Sequence, residues 1–293
     1  MRFSDVLLTS GLDLQDVAVV LHKTTLQPLR RLFPALVFEH PDLFDAYQSV
    51  HSEQATATLR KRRYMASFAP YGATEMLFVG IYEITGAVEK PTAEIYADPR
   101  FQALADDFGA SDTAPAQNIA RFSTQVHFTT RMTSHLADLR GRLQIALPAG
   151  RAYVRLAENL DAPVLAITPA PITAPPPPDW DTFVVDASMM RSLPQSWQDR
   201  LRHWRGVYLI TDESDGARYV GSAYGAENLL GRWRAHVAGD QGVTRALRLR
   251  NPATFRFSIL QLVSPTAAME EVVAVENSWK ERLHTRAFGL NEN

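Results

Sequence analysis

Gly206-Val207-Tyr208-Leu209-Ile210 and Arg218-Tyr219-Val220-Gly221-Ser222 are two short apolar runs separated by Thr211-Asp212-Glu213-Ser214-Asp215-Gly216-Ala217. The polar, glycine-containing spacer reads as a turn, and the whole as a β-hairpin with one tyrosine on each arm. Strand alternation sets Tyr208 and Ile210 on the face opposite Val207 and Leu209, and parts Tyr219 and Gly221 from Val220. A glycine inside a strand admits a second backbone or a ligand at close range.

Working outward, a short helix with proline in its first turn is expected from Leu193-Pro194 through Leu201, just before the hairpin. After it the periodicity predicts helices over 226–237 and 243–250, a strand over 255–263 and a long helix over 266–284. The C-terminal part is therefore expected to be α+β, a small antiparallel three-stranded sheet flanked by helices. In the long helix, Met269, Val272, Glu276, Trp279 and Leu283 advance by steps of three and four, which sets one carboxylate in an apolar stripe. A carboxylate there needs a partner, an arginine or a metal ion, because burying it alone is costly. Arg232 and His236, four apart, project from one side of the 226–237 helix, while Leu230 and Trp233 anchor its other side. Arg232, Arg234, Arg245, Arg248, Arg250 and Arg256 share a stretch whose one acid is Asp240, the pattern of a phosphate-binding stripe.

Gly206-Val207-Tyr208 followed by Tyr219-Val220-Gly221 resembles the paired elements for which the GIY-YIG nucleases are named, and the resemblance covers about residues 179–293. Its specificity comes from the residues downstream of the hairpin and their order: Tyr224, Arg232 and His236 on one helix, Glu276 on another, and Asn291 near the end. Gly80-Ile81-Tyr82 spells the first element literally but has no second element after it. The resemblance implies a DNA endonuclease that hydrolyses phosphodiester bonds with Mg²⁺ or Mn²⁺. Glu276 stands where those nucleases place their single metal-binding acid, and Arg232 where they contact the scissile phosphate. Tyr208 would take a proton from the attacking water or orient it, a phenolate being favoured by nearby positive charge. His236 would serve as proton relay or phosphate contact, Tyr219 and Tyr224 would orient water or phosphate, and Asn291 would hydrogen-bond across the site. Arg234, Arg245 and Arg248 complete the expected substrate contacts. The chain departs from many relatives at Gly239-Asp240-Gln241-Gly242, and Ser222 stands where some restriction enzymes of the family carry a lysine.

The chain has 293 residues and 46% apolar content, enough for two ordinary domains with a core each. Its net charge of −2 is unevenly distributed: residues 200–293 carry 13 Lys and Arg against 10 Asp and Glu, residues 1–199 carry 17 against 22. No cysteine is present, which excludes disulfides and thiolate metal sites and fits a reducing compartment. No apolar run approaches a membrane span and no secretory signal opens the chain, so a cytoplasmic protein without a membrane partner is expected. A proline-rich linker over 168–179, with Pro175-Pro176-Pro177-Pro178, is expected to separate an N-terminal domain (1–167) from the nuclease-like domain (180–293). Before it, helices are predicted over 14–21, 26–33 and 41–64, then strands over 76–84, 120–128, 143–147, 152–156 and 164–167. That reads as an α+β, β-rich domain with a curved sheet or small barrel, suited to selecting a target. Arg60-Lys61-Arg62-Arg63 is either a solvated helix end or a phosphate contact.

Restriction or anti-phage defence suits this layout, with double-stranded DNA as the partner and a dimer compatible with it. The alternatives are a nucleic-acid-binding sensor whose nuclease fold no longer cuts, a nuclease acting on RNA, and DNA repair.

Overall fold

The structure, a computed structural model, describes residues 1–239 and 245–292. It divides into two compact units, Met1–Pro175 and Pro176–Asn293.

In the first unit seven strands form one sheet: β1 (Val17–Leu21), β2 (Tyr64–Tyr71), β3 (Glu75–Pro91), β4 (Thr124–Met132), β5 (Leu143–Ala146), β6 (Val154–Leu156) and β7 (Val164–Ile167). Their order is β6-β1-β2-β3-β5-β7, and β4 pairs with the far half of β3. One strand of 17 residues thus serves two sets of neighbours. Register shifts opposite Ser67/Phe68 and at Ile84/Gly86 bend it, because an extra residue on one strand kinks and twists the ladder. Phe3, Leu7, Val19, Phe68, Phe78 and Ile145 belong to the core cluster on this sheet.

β1 and β2 run parallel, joined by a crossover that carries helices Gln27–Glu39, Pro41–Tyr47 and Glu53–Leu59. Here the structure corrects the sequence reading. The helix expected over 14–21 is a 3₁₀ turn followed by β1, a strand buried at every position. A run as apolar as Val17-Ala18-Val19-Val20-Leu21 has no period to distinguish strand from helix, and the parallel pairing buries both its faces. The helix expected over 41–64 is two helices and the start of β2, the second helix opening where Ser52 accepts the Ala55 N–H. Residues 120–128 divide between the helix Pro115–Arg121 and β4. In the basic cluster Arg62 pairs with Glu158 at 2.8 Å and Arg63 with Glu83 at 3.4 Å. Gly80-Ile81-Tyr82 lies inside β3, with Ile81 and Tyr82 buried.

The second unit has an antiparallel sheet of four strands in the order β10-β9-β11-β8: β8 (Val184–Asp186), β9 (Gly206–Asp212), β10 (Arg218–Ala223) and β11 (Phe255–Leu262). The sequence predicted three; β8, at three residues, is too short to show a period. Helices Gln195–His203, Asn228–Ala238 and Met269–Arg282 accompany the sheet. Trp233 packs its ring against Phe257 of β11 at 5.2 Å and is fully buried, which locks the Asn228–Ala238 helix to the sheet. Gly206 begins β9 at the β-bulge of β11 between Ile259 and Gln261. A Cβ at Gly206 would collide with the Gln261 carbonyl, so the close approach of these two backbones requires glycine there.

Candidate active site

Hairpin register pairs Gly221 with Tyr208 and Tyr219 with Ile210, so both tyrosines stand on one face, diagonal to each other. A Cβ at Gly221 would lie 2.6 Å from Tyr208 Cζ and 2.8 Å from Tyr219 Cε1. The missing side chain at 221 is the space the two phenol rings occupy.

The Asn228–Ala238 helix brings Arg232 and His236 to that face. Tyr208 Oη and His236 Nε2 are 2.6 Å apart, both side chains buried, and the His236 ring meets Tyr208 and Tyr219 edge-on at 5.6 Å each. The Arg232 guanidinium lies beside both phenols and favours their ionised forms. A guanidinium only donates, so toward Arg232 the Tyr208 Oη can act only as an acceptor, and its own proton is available to His236 Nε2. With Tyr208 as the donor the neutral ring carries its proton on Nδ1, which is buried with no partner among the described residues.

Burial, then Tyr219, pushes the Tyr208 phenol far above its ordinary range, and burial, then Glu276, takes Tyr219 up to about 12. Arg232 opposes both shifts without cancelling either. His236 is held down to about 3 by burial and by the Arg232 charge. Burial also works against the charge on Arg232, but the surrounding phenols outweigh it and its pKa is raised. The resting cluster is two neutral phenols, a neutral imidazole and one guanidinium cation. A Tyr208 phenolate stabilised by Arg232 alone is not what this geometry gives, because desolvation outweighs the single nearby charge.

Glu276 reaches the same site from the Met269–Arg282 helix and contributes to the electrostatics of both phenols. Its Oε2 accepts from the Ser222 hydroxyl, one residue beyond Gly221, and its Oε1 lies 2.7 Å from Lys280 Nζ. Lys280 is 3% exposed, a buried cation one turn along the same helix. The expected stripe is thus only partly apolar: Val272 is buried, Met269 is exposed, and Trp279 donates to Gln261 Oε1 at 3.0 Å. The sequence offers an arginine or a metal ion as the partner of Glu276, and in the structure the ion-pair partner is Lys280. The signal was its i, i+4 spacing from Glu276.

The remaining expected contacts divide. Tyr224 is exposed, and near enough to Arg232 to act on its charge. Arg245 and Arg248 are exposed on the short helix Arg245–Arg248. Arg234 points to the preceding helix, donating to Gln198 Oε1 at 2.8 Å. Asn291 is buried and grips one strand residue, accepting from the Val220 N–H at 2.9 Å and donating to its carbonyl at 2.8 Å, which ties the chain end to β10. Arg250 pairs with Asp212 and Asp215, and Arg256 with Asp186 and Glu213. The stripe of six is thereby reduced, because acids outside the stretch neutralise two members and Arg234 faces another way. Residues 240–242 of the departing loop and residues 243–244 of the predicted helix lie outside the described residues.

Residues 205–291 match the family model of the GIY-YIG catalytic domain. Residues 205–291 of the C-terminal unit are a GIY-YIG domain. Two solved structures of the catalytic domain of the intron homing endonuclease I-TevI are similar to it. One is 25% identical and covers 30% of this chain and 98% of its own; the other, a variant, is 22% identical and covers 31% and 94%; both have a TM-score of 0.26. No curated protein matches the chain. A GIY-YIG domain makes the chain a nuclease, a hydrolase of phosphodiester bonds. The paired glycines of its hairpin now have distinct physical reasons: Gly206 lets two backbones meet, and Gly221 makes room for two phenols.

Proposed function

We propose that this chain is a divalent-metal-dependent DNA endonuclease of restriction or anti-phage defence. The observation that carries the reading is the convergence of Tyr208, Tyr219, Arg232, His236 and Glu276 on one face of the β9–β10 hairpin. Arg232, set beside two phenols and charged at any physiological pH, binds the scissile phosphate and stabilises the charge that develops on it. Tyr208 accepts the proton of an attacking water as its own hydroxyl proton passes to His236 Nε2, which is neutral and already in contact. One O–H bond breaks at water and one at Tyr208, and one O–H and one N–H form. Asn291 positions β10, and Tyr224, Arg245 and Arg248 line up as solvent-facing contacts for flanking DNA.

The donors at Glu276 suit a hard cation. A carboxylate offers about four lone-pair directions, and Ser222 and Lys280 take two. Among the described residues no three His, Asp or Glu side chains gather to hold a metal, so Glu276 would be the one protein carboxylate, with water and phosphate oxygens completing a Mg²⁺ or Mn²⁺ shell. Bound there, the ion would act as a Lewis acid on the leaving 3′ oxygen.

The Glu276–Lys280 pair favours one other reading, a DNA-binding sensor in which lysine has permanently replaced the metal. Incubating the protein with plasmid and phage DNA, with and without Mg²⁺ or Mn²⁺, separates the two. The expected result is metal-dependent cutting that Glu276→Ala abolishes and that Arg232→Ala slows by about 10²–10³-fold, the usual effect of removing one transition-state donor. Salt-sensitive binding with no cutting under any metal would establish the sensor instead.

A further inference from the structure

The N-terminal unit contains a cavity of about 340 Å³, at the small end of the roughly 300–1,000 Å³ typical of small-molecule pockets. Its walls are aromatic: Tyr47, Tyr96, Phe101 and Tyr153 line it, with Phe122 at the mouth, 37% exposed, and the Arg121 guanidinium over the Phe122 ring. Two histidines share the lining with the polar side chains of Lys23, Asp112 and Asn118. His22, 4% exposed, follows β1 and stacks on Phe33; His51 stacks on Tyr153. The Nε2 atoms of both are buried and have no partner among the described residues. A buried polar atom left unpaired costs about 1–3 kcal/mol, and native folds rarely keep two in one place without use. Burial holds both rings neutral, His22 down to about 3 and His51 down to about 4. Each is therefore a polar edge without charge, set within aromatic faces.

An apolar ligand would leave those two nitrogens unmet, and two imidazoles alone make a poor metal site. A flat ring with hydrogen-bonding edges and an anionic tether answers these features together: faces against the aromatic walls, edge toward the histidines, Asp112 and Asn118, phosphate beside Arg121 at the mouth. We propose that this cavity receives one nucleobase turned out of a DNA duplex, so that the N-terminal unit selects the target by reading a single extruded base. Base-handling proteins use pockets of this kind, stacking the extruded base between aromatic side chains and reading its edge by hydrogen bonds. The inference rests on the reading of the chain as a DNA nuclease, since a free nucleotide has the same chemistry.

The test is a binding measurement on the full chain carrying Glu276→Ala, without metal, so that no step depends on cutting. The probes are short duplexes with one 5-methylcytosine, 5-hydroxymethylcytosine or N6-methyladenine beside a 2-aminopurine, the unmodified duplex, and the matching mononucleotides. The expected result is a several-fold rise in 2-aminopurine fluorescence for at least one duplex, as its neighbour leaves the stack. Phe122→Ala and Arg121→Ala, both at exposed positions, should each weaken that duplex by about tenfold or more, the scale of one lost base–aromatic stack. DNA binding without any fluorescence change, or mononucleotide binding that no duplex displaces, would overturn the proposal. Cutting of unmodified plasmid by the wild-type chain reports separately on the nuclease reading.

Discussion

His22 and His51 in the N-terminal unit and His236 in the C-terminal unit are all held neutral by burial, and each leaves one ring nitrogen buried without a partner among the described residues. Their surroundings differ. His236 is hydrogen-bonded to a phenol and lies beside a guanidinium, with a carboxylate and an ammonium nearby, a set of groups that can pass a proton or meet a phosphate. His22 and His51 lie among aromatic rings, and the lowering at His22 comes from desolvation and then from His51. On the proposed readings the same neutral imidazole is a chemical group in one unit and a recognition edge in the other. What differs is the hydrogen-bonded phenol and the guanidinium beside His236, not the burial.

That comparison has its largest measurable consequence in acid. A histidine whose pKa is lower folded than unfolded binds protons better in the unfolded chain, so its stabilisation is complete above the unfolded value of about 6.5 and is lost as pH falls below it. His22 and His51, at about 3 and about 4 when folded, should each remove stability on the order of 3 kcal/mol between pH 7 and pH 4. Urea unfolding of the full chain at pH 7, 5 and 4 should show the loss, and His22→Leu should reduce it while keeping stability at pH 7. An unchanged unfolding midpoint over that range would mean that the cavity is wet and its histidines are ordinary.

A smaller effect probes how the C-terminal site is packed. Gly221→Ala inserts a methyl where two phenol rings already stand and should cost roughly 1–3 kcal/mol, the usual effect of overpacking. Gly225→Ala, with nothing within 4 Å of its added Cβ, is the control and should be near neutral. If both behaved alike, the closeness of Tyr208 and Tyr219 to Gly221 would not be what fixes that residue.

The two units also differ in how much of each is legible in the sequence. The C-terminal hairpin was legible because alternation, glycine and a polar turn all agreed within one stretch, and spacing alone brought Arg232 to the side of His236. Lys280 was not legible, because a lysine near a helix end normally reaches solvent, and only the three-dimensional position of Ser222 and Glu276 shows that it is enclosed. Asn291 was read as reaching across the site when it clamps Val220, a contact 71 positions away that no local pattern records. In the N-terminal unit the run at 17–21 carried no period, and the cavity is assembled from residues between 22 and 153 that no spacing connects.

The finest test is at Lys280, where a resident ammonium contacts the carboxylate on which a metal would depend. Lys280→Met keeps the length and apolar stem of the side chain and removes its charge. Without metal it leaves Glu276 partly buried and held by Ser222 alone, an uncompensated carboxylate that should lower the melting temperature. Added Mg²⁺ or Mn²⁺ should then restore that temperature more than it raises the wild type's, because the cation has no ammonium to displace. On the same logic the metal concentration for half-maximal cutting should fall about tenfold, or about 1.4 kcal/mol of binding. An unaltered metal requirement would show that ammonium and metal do not compete at Glu276, and Lys280 would then be a fixed support for the carboxylate.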